Sequence, residues 1–493
     1  MNPRHLVKKV IPSGLFTAIE PYGHLVESVI QNTVNGFPAH GLKIIGVTGT
    51  NGKTSTTYMI HRMMHLAGYK VGFMSTVAYG VGDNVNQQIH HMTNVPIGEL
   101  MERLKWMKSQ GAEWLVLETT SHALAQNRVW GVPYSLAVMT NVTHEHLDYH
   151  KTFERYRDAK RKLFKLAAAN RKGLQTGVIN ADDPSAGYFI KDVPRSITYS
   201  IEGLTPPDSP DGAAPGKGVQ AFPLDWPRTG NAGQLRASSV DATPEGSSFT
   251  ATFVVPQDPN TPGIPLGGGG EVAMNRVART LKLHVNIPGQ FNVANALAAA
   301  SAGIAVGLTD KQIEQGIAAL EGVEGRMTNI NEGQDYSVIV DYAHTPDSFE
   351  KLFKDLRPVV KGKLIIMFGS AGRRDEAKRP VQGALAGQYA DEVIVTEEDD
   401  RDIDGAAIME QIAGGAEHPT GGAAGKVHDT NLFLVHDRTE AINFAVGRAR
   451  PGTGDTVLLL GKGHEKTIER ANGENPWDEI GTAHAAVKAR LKK

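Results

Sequence analysis

The residues with the clearest chemical meaning lie at positions 49–54, which read GTNGKT after an apolar run over 42–47. Glycines in such a turn let backbone N–H groups surround the oxygens of a phosphate, and the N-terminus of the helix that follows adds partial positive charge. Lys53 could reach the β- and γ-phosphates of a nucleotide, and Thr54 could offer its hydroxyl to Mg²⁺. The alternative is a glycine-rich turn followed by Lys-Thr by chance. Because strand, turn, Lys-Thr and helix occur in order, we predict a triphosphate site, in a variant form with Val47 where the general pattern has glycine.

Two clusters of polar residues follow the next apolar runs of the chain. The first begins at Glu118 after the run 113–117 and reads ETTSHALAQNRV, and the second follows 135–139 and reads TNVTHEHLDYH. The carboxyl ends of parallel strands meet at one edge of an open sheet, where ligands bind. A carboxylate beside a phosphate loop is well placed for Mg²⁺, so Glu118 is a candidate ligand. His146 is the candidate for a second metal, although histidine suits Mg²⁺ less well than oxygen ligands do.

Lys160 stands in a predicted helix over 153–166, three or four residues away from the apolar Tyr156, Leu163 and Phe164. On this spacing alone we expect a surface lysine whose carbon chain covers apolar neighbours while its ammonium stays in water.

The pattern in the last third of the chain predicts a second sheet with charged and glycine-rich loops along one edge. Apolar strands over 337–341, 363–368, 391–396, 432–435 and 456–460 are each followed by a charged or glycine-rich loop. This pattern is typical of a doubly wound sheet. Arg374, Arg401 and Glu465 in these loops could bind a zwitterion, with guanidinium for its carboxylate and carboxylate for its ammonium. Surface ion pairs are the alternative for each of them.

Length and composition exclude several classes of protein. The 493 residues are enough for two to four domains, and a hydrophobic content of 40% supports ordinary packed cores. A formal charge of −2 gives no global basic field for nucleic acid, and the absence of cysteine excludes disulfides, thiolate zinc sites and cysteine nucleophiles. No apolar run approaches the roughly 18 residues that cross a bilayer, and the basic N-terminus lacks the apolar core of a signal peptide. We expect a cytoplasmic monomer with small-molecule partners.

The elements that hold the candidate residues alternate between apolar strands and helical segments, which predicts an α/β fold. We expect a short N-terminal segment over 1–40, a central P-loop ATPase domain over 41–322 and a C-terminal Rossmann-like domain over 323–493. One or two helices between residues 6 and 30 would be interrupted at Pro12, Pro21 and Gly23.

The central domain contains two predicted insertions, over 203–236 and 256–270, whose proline and glycine content is typical of flexible loops. Alternating apolar and polar residues over 235–240, 247–255 and 280–287 predict an antiparallel patch beside them.

The chain resembles the Mur ligases, ATP-dependent amide-bond ligases of peptidoglycan precursor synthesis, and within them the branch that adds the third residue of the stem peptide. The likeness is carried in family order from about residue 41 to the C-terminus by GTNGKT (49–54), ETTSHAL (118–124), TNVTHEHLDYH (140–150), YRDAK (156–160), FNVANALAA (291–299), EGRM (324–327), DYAHTPDS (341–348), DEAKRP (375–380) and GKGHE (461–465).

The resemblance implies roles that spacing alone does not supply. It implies two Mg²⁺ sites held by Thr54, Glu118 and His146, and a CO₂-derived carbamate on Lys160 that serves the second metal, which reverses the surface expectation. Lys53, Glu118, His146 and Lys160 would form the catalytic set. The implied ATP contacts are Gly49, Thr50, Asn51, Gly52, Lys53, Thr54, Ser55, Asn295, Arg326 and Asp341. The predicted substrate contacts are Thr93, Asn94, Thr120, Ser121, Arg128, His344, Arg374, Arg401, Gly461 and Glu465.

The implied reaction is a two-step amide synthesis. An acceptor carboxylate attacks the γ-phosphate of ATP, and the amine of an amino acid displaces phosphate from the acyl phosphate that results. Closure about Gly325-Arg326 would keep water away from that intermediate.

Three departures from the family pattern bear on the substrate. Only residues 1–40 precede the core, where this branch has a domain for the uridine nucleotide. Glu145 replaces the aspartate of DHLD, and TSHAL replaces SSHAL. The motif that selects the amino acid, Asp-Asn-Pro-Arg for diaminopimelate, is Glu-Asp-Asp-Arg at 398–401. Because Arg401 is retained, diaminopimelate is favoured, with lysine as the alternative.

Two other functions stay open on the sequence. A ligase that extends glutamyl chains, such as folylpolyglutamate or poly-glutamate, would suit the short N-terminus, but GKGHE and DYAHTPDS argue against it. A nucleotide-gated binding protein without ligation is opposed by the joint presence of Lys53, Glu118, His146 and Lys160.

Overall fold

The computed structural model describes residues 13–88, 93–143, 145–201, 231–244, 246–255, 264–265, 271–272, 276–419 and 421–492. The strands are β1 Lys43–Thr48, β2 Val71–Met74, β3 Ala78–Val81, β4 Asn84–Gln87, β5 Trp114–Glu118, β6 Tyr134–Met139, β7 Thr176–Asn180, β8 Arg195–Ile201, β9 Asn231–Ala242, β10 Ser247–Val255, β11 Ile264–Pro265, β12 Glu271–Val272, β13 Arg276–Val285, β14 Thr328–Asn329, β15 Ser337–Asp341, β16 Leu364–Phe368, β17 Glu392–Val395, β18 Leu432–Leu434, β19 Thr456–Leu460, β20 Thr467–Arg470 and β21 Gly473–Pro476. The α-helices are α1 Ser13–Val34, α2 Lys53–Leu66, α3 Ile97–Ser109, α4 Ser121–Ala125, α5 Leu147–His150, α6 Phe153–Ala169, α7 Ala186–Ile190, α8 Gln290–Val306, α9 Asp310–Ala318, α10 Pro346–Leu356, α11 Lys378–Tyr389, α12 Gly405–Glu417, α13 Arg438–Arg448 and α14 Glu479–Leu491.

The first of two compact units comprises Met1–Val240, Phe249–His284 and Val293–Leu320. It contains most of an 11-stranded sheet in the order β13-β10-β9-β8-β7-β6-β1-β5-β2-β3-β4. The central strands β1, β5 and β6 pair in parallel and are buried almost throughout, which is why they read as continuous apolar runs in the sequence. Their carboxyl ends therefore lie side by side, and the phosphate loop and both polar clusters begin there.

The second compact unit comprises Asp241–Ser248, Val285–Asn292 and Glu321–Lys493. Its six-stranded sheet has the order β14-β15-β19-β16-β17-β18, in which all pairs except β14–β15 are parallel. Strand β19, the last of the six along the chain, lies between β15 and β16, so the loops after these three strands meet at one edge. The α/β fold with two mainly parallel sheets is confirmed.

Helix α1 differs from its prediction because it runs unbroken through Pro21 and Gly23. Proline removes one backbone hydrogen bond and strains a helix, so contacts with the rest of the first unit have to offset that cost. Ser28 Oγ donates to the carbonyl of Asn127 at 3.0 Å, and Asn32 Nδ2 donates to that of Trp130 at 3.0 Å.

The predicted insertions lie largely outside the described residues. Residues 202–230 are not described. Residues 231–236, which were predicted as a loop, form the first part of β9, and β9 pairs in parallel with β8. Within 256–270 the structure describes β11, which pairs with β12. Within the described ranges, no helix combines the length and apolar character required to span a bilayer.

Candidate active site

The phosphate loop connects β1 to α2, and two of its glycines are required by their surroundings. Gly49 and Gly52 have φ values of 155° and 80°, in a region that disfavours side chains. A Cβ at Gly49 would also clash with Thr140 Oγ1, and one at Gly52 would clash with Asn295 Oδ1. The loop is therefore packed tightly between the end of β6 and helix α8, which brings the predicted ATP contact Asn295 to the loop.

The end of β6 holds the loop in shape through Asn141. The backbone N–H of Thr50 donates to the Asn141 carbonyl at 2.7 Å, and that of Asn51 donates to Asn141 Oδ1 at 2.9 Å. Asn141 Nδ2 in turn donates to the Asn51 carbonyl at 3.1 Å. Lys53 Nζ donates to the Thr50 carbonyl at 2.7 Å, so its ammonium lies over the loop. A preformed loop with a lysine above it is suited to bind phosphate.

Glu118 lies beside the loop because β5 pairs with β1 in a register that sets Glu118 opposite Val47. Its side chain is 1% exposed. Thr54 Oγ1 donates to Glu118 Oε2 at 3.0 Å, and Thr76 donates to both oxygens, from its N–H at 3.0 Å and its Oγ1 at 3.0 Å. All three donors are neutral groups, two hydroxyls and one backbone amide. A hydroxyl and a carboxylate at hydrogen-bond distance from each other are oxygen ligands of the kind that Mg²⁺ prefers.

Lys160 is 1% exposed, so the surface position expected from its spacing is wrong. Its Nζ donates to the Gly49 carbonyl at 2.6 Å and lies 4.3 Å from the ring centre of Tyr156. Burial, and next the nearby Lys53 ammonium, lower the pKa of Lys160 well below the usual value for lysine. Burial therefore favours the neutral form of this amine.

His146 lies on the same side of the unit but in a more open position. Its side chain is 45% exposed, and its φ of 55° is unusual for a residue with a side chain. Its ring is 4.7 Å from that of His122 and 6.1 Å from that of Tyr156, the residue that contacts Lys160. His144 lies outside the described residues.

The predicted substrate contacts of the first unit gather around Glu118. Asn94 connects them, because its Nδ2 donates to the Glu118 carbonyl at 2.8 Å and its Oδ1 accepts from the N–H and Oγ1 of Thr120, both at 2.8 Å. Arg128 Nη1 donates to the Asn94 carbonyl at 2.7 Å. Ser121 Oγ lies 3.0 Å from His150 Nε2.

Thr76 is a residue that the sequence reasoning missed. It follows β2, whose carboxyl end lies at the same sheet edge, next to β5. Besides its two contacts with Glu118, its Oγ1 lies 2.8 Å from Oγ1 of the predicted substrate contact Thr93. A single threonine forms no motif, so its position after the end of a predicted strand is the one sequence feature that could have identified it.

In the second unit, the last residue of β15 and the loops after β15 and β19 supply four predicted site residues, which are Asp341, His344, Gly461 and Glu465. Asp341 accepts from the N–H groups of Met327 at 2.8 Å and Ala343 at 2.7 Å, and burial raises its pKa. The guanidinium of Arg326 lies 4.7 Å from the ring centre of Tyr342. The Tyr342 hydroxyl donates to Glu465 Oε1 at 3.2 Å.

Lys462, which was not predicted as a site residue, connects acidic residues at this edge of the second unit. It is 1% exposed and forms ion pairs with Glu465 at 2.7 Å and Asp399 at 2.8 Å. Gly461 beside it has a φ of 104°. Burial lowers the pKa of the predicted contact His344.

The predicted amino-acid contacts Arg374 and Arg401 have different surroundings. Arg374 is exposed. Arg401 donates to Glu469 at 2.6 Å and to the Gly372 carbonyl at 2.6 Å, so its guanidinium already has a carboxylate partner. Burial raises the pKa of Glu398, three residues earlier, to about 7.

A cluster of potential metal ligands near this segment lies outside the predicted site. Ligand atoms of Glu397, Asp400 and His436 are within 4.8 Å of one another. Glu397 is paired with Arg470 through both oxygens, at 2.8 and 2.6 Å, and Asp400 with His436 at 2.8 Å. Both carboxylates of the cluster therefore already have a partner within the protein.

Comparisons with known proteins cover most of the chain. Sequence models of the Mur ligase middle domain and of the Mur ligase, glutamate ligase domain match residues 47–209 and 325–463. UDP-N-acetylmuramyl-tripeptide synthetase of Roseiflexus sp. (strain RS-1) is 38% identical, over 92% of this chain and 80% of its own length. UDP-N-acetylmuramoyl-L-alanyl-D-glutamate--2,6-diaminopimelate ligase of Bacillus velezensis is 33% identical, over 94% and 82%. A solved structure of a UDP-N-acetylmuramoyl-L-alanyl-D-glutamate--2,6-diaminopimelate ligase superimposes with a TM-score of 0.60 at 26% identity, over 96% of this chain and 83% of the other.

Proposed function

The chain belongs to the Mur ligase family, and from this premise we propose that it joins an amino acid to the carboxylate of a UDP-MurNAc-dipeptide-type acceptor at the expense of ATP. It is an ATP-dependent acid–amino-acid ligase of peptidoglycan precursor synthesis. Diaminopimelate is the favoured amino acid, since it stands in the names of relatives that are 33% identical, and lysine is the alternative.

The observation that carries this proposal is the contact between Thr54 and Glu118. It joins the helix behind the phosphate loop to the carboxylate of the neighbouring strand, at 3.0 Å, in a buried position. Thr54 and Glu118 would hold Mg²⁺, which as a bound cation would neutralise charge on the phosphates of ATP. Gly49, Thr50, Asn51, Gly52, Lys53 and Ser55 would surround those phosphates, with Asn295 from α8 beside them.

Lys160 is proposed as the site of a carbamate. A neutral amine attacks the carbon of CO₂, loses a proton and becomes a carbamate anion, and the lowered pKa of Lys160 favours the neutral form. The carbamate oxygens would serve, with His146, a second Mg²⁺ site. The position of Lys160 against the loop carbonyl of Gly49, at 2.6 Å, supports this role.

The proposed reaction has two steps. An oxygen of the acceptor carboxylate forms a bond to the γ-phosphorus, the bond to the β-phosphate oxygen breaks, and ADP leaves. The uncharged amine of the amino acid then attacks the acyl carbon, phosphate departs with the bonding electrons of the C–O bond, and the amine loses a proton. Lys53 and the loop N–H groups would stabilise negative charge in the first step. Thr93, Asn94, Thr120, Ser121 and Arg128 would position the acceptor.

Residues of the second unit complete the proposed set. Arg326 and Asp341 would contact ATP, and the amino acid would be bound by residues drawn from His344, Arg374, Arg401, Gly461 and Glu465. We propose the domain limits 1–40, 41–322 and 323–493, which the matched ranges 47–209 and 325–463 support. We also propose that the protein is a cytoplasmic monomer that acts on small molecules.

The test is an assay of ADP release by the purified protein with ATP, UDP-MurNAc-dipeptide and single amino acids. We expect sustained ADP release over many turnovers only when acceptor and amino acid are both present. With ¹⁸O in the acceptor carboxylate, we expect one label in the phosphate released. Phosphate without label would refute an acyl phosphate, and ADP release with a folate in place of the nucleotide-sugar peptide would favour the glutamyl-extending alternative.

A further inference from the structure

Thr76 connects two parts of the first unit that have separate proposed roles. On one side it donates to both oxygens of Glu118, from its backbone N–H and its hydroxyl, each at 3.0 Å. On the other side its hydroxyl oxygen lies 2.8 Å from that of Thr93. The proposed cation ligand and the proposed acceptor contact are therefore two hydrogen bonds apart, with a single hydroxyl between them.

The direction of these two bonds follows from a count of protons. A threonine hydroxyl has one proton to donate and can also accept. A bond to an ionised carboxylate is roughly twice as strong as one between neutral groups, so the Thr76 proton goes to Glu118. The Thr93 hydroxyl must then donate to Thr76, which occupies the one side-chain proton that Thr93 could offer to a ligand.

We propose that Thr76 is a positioning residue that couples cation binding at Glu118 to acceptor binding at Thr93; this inference rests on the function proposed above. A carboxylate that shares its electrons with a cation is a weaker hydrogen-bond acceptor. The Thr76 hydroxyl can then turn and donate to Thr93, and the Thr93 proton becomes available to an anionic oxygen of the acceptor. Cation and acceptor therefore bind with positive coupling, and by thermodynamic reciprocity each strengthens the other by the same factor.

Two substitutions separate this coupling from a structural role of Thr76. Thr76→Ser keeps the hydroxyl and loses a methyl group. Thr76→Val keeps the shape and the backbone N–H bond to Glu118, together with the bond from Thr54, but has no hydroxyl to turn. A role in packing would make the serine variant the more affected, whereas the proposed role makes the valine variant the more affected.

The experiment measures the Kd of UDP-MurNAc-dipeptide by calorimetry, with a non-hydrolysable ATP analogue present, in Mg²⁺ and in EDTA. For the wild type and Thr76→Ser we expect binding about 5-fold tighter in Mg²⁺, the factor that one hydrogen bond of about 1 kcal/mol supplies. For Thr76→Val we expect a ratio near one. If Thr76→Val does not fold, Thr93→Val removes the hydroxyl at the other end of the same series of hydrogen bonds, and the ratio of the two Kd values should then also be near one.

Several outcomes would overturn the proposal. A Thr76→Val protein that keeps the wild-type ratio, or a Thr76→Ser protein that loses it, refutes the coupling through this hydroxyl. A wild type that binds the acceptor equally well in Mg²⁺ and EDTA also refutes it, while the proposed function stands. A wild type that does not bind the acceptor at all removes the proposed function itself.

Discussion

Replacement of Lys160 by alanine tests the proposed carbamate most directly. The change removes three methylene groups and an amine from a position that is 1% exposed. The methylenes contribute about 2 kcal/mol at ~0.8 kcal/mol each, and the hydrogen bond to Gly49 adds about 1 kcal/mol. Since the variant no longer buries an amine, which itself costs free energy, we expect a net loss of about 2 kcal/mol in the free energy of unfolding. Urea denaturation followed by circular dichroism measures it.

The effect on activity should be much larger than the effect on stability. Loss of one preorganised group at a site of developing charge typically lowers kcat by about 10²–10³-fold, and we expect that loss in ADP release. The alanine variant leaves a cavity beside Tyr156 and the phosphate loop, and acetate or formate could enter it and supply the missing carboxylate. We therefore expect these anions to restore part of the activity, and removal of CO₂ to lower the activity of the wild type.

Two variants of the same helix serve as controls. Lys160→Met fills the cavity with an apolar chain, so it should stay inactive with acetate. Lys165→Ala changes an exposed lysine and should keep kcat within about two-fold, because exposed substitutions away from the site have small effects. Full activity of Lys160→Ala without any added anion would refute the reasoning.

Three further predictions concern the loop, the core and a buried ion pair. Lys53→Ala should lower ADP release by at least about 10³-fold while the thermal midpoint changes little, and an active Lys53→Ala protein would contradict the assignment of the loop. Burial lowers the pKa of His61 to about 3, below its ordinary 6.5, so the unfolded state binds more protons below pH 6.5 and stability falls as the pH drops towards 3. Between pH 7.5 and pH 5 the free energy of unfolding of the wild type, measured by urea denaturation, should therefore fall by about 2 kcal/mol more than that of His61→Leu, because each pH unit below 6.5 costs about 1.36 kcal/mol. Equal losses in the two proteins would contradict this. Arg438→Met removes the ion pair, at 2.7 Å, between Arg438 and the fully buried Glu479, and should lower the free energy of unfolding by about 3–5 kcal/mol. The double variant Arg438→Met with Glu479→Gln should recover part of that free energy. If it recovers none, the ion pair is not the cause of the loss.

The phosphate loop and its neighbouring strands were predictable from the sequence because the chemistry is local. Strand β1, the glycine turn, Lys53 and Thr54 are consecutive in the chain, and the glycines at 49 and 52 are required by the backbone that the turn adopts. Glu118 was predictable for a related reason, since parallel strands bring their carboxyl ends to one edge wherever they pair. The α/β class follows from the same alternation of buried strands and helices.

Other features depend on contacts between residues that are distant in the sequence. The spacing of Lys160 in its helix fits a surface lysine, and only the packing of α6 against the loop, through the Gly49 carbonyl 111 positions earlier, makes it a buried amine. Thr76 has no motif, and its role arises because β2 pairs with β5 and sets its hydroxyl between Glu118 and Thr93. Helix α1 passes through Pro21 because its contacts with residues about 100 positions away outweigh a local preference.

The amino-acid sequence by itself therefore determined the class of fold, the glycine turn with Lys53 and Thr54, and the sheet edge that holds the candidate site, because these follow from the order of apolar strands, turns and helices along the chain. The tertiary structure alone decided which of the polar side chains are buried, which are already paired, as Arg401 is with Glu469, and which lie between two others. The physical reason is that burial and pairing change the charge state and the hydrogen-bond direction of a group, and both depend on neighbours that no local pattern specifies.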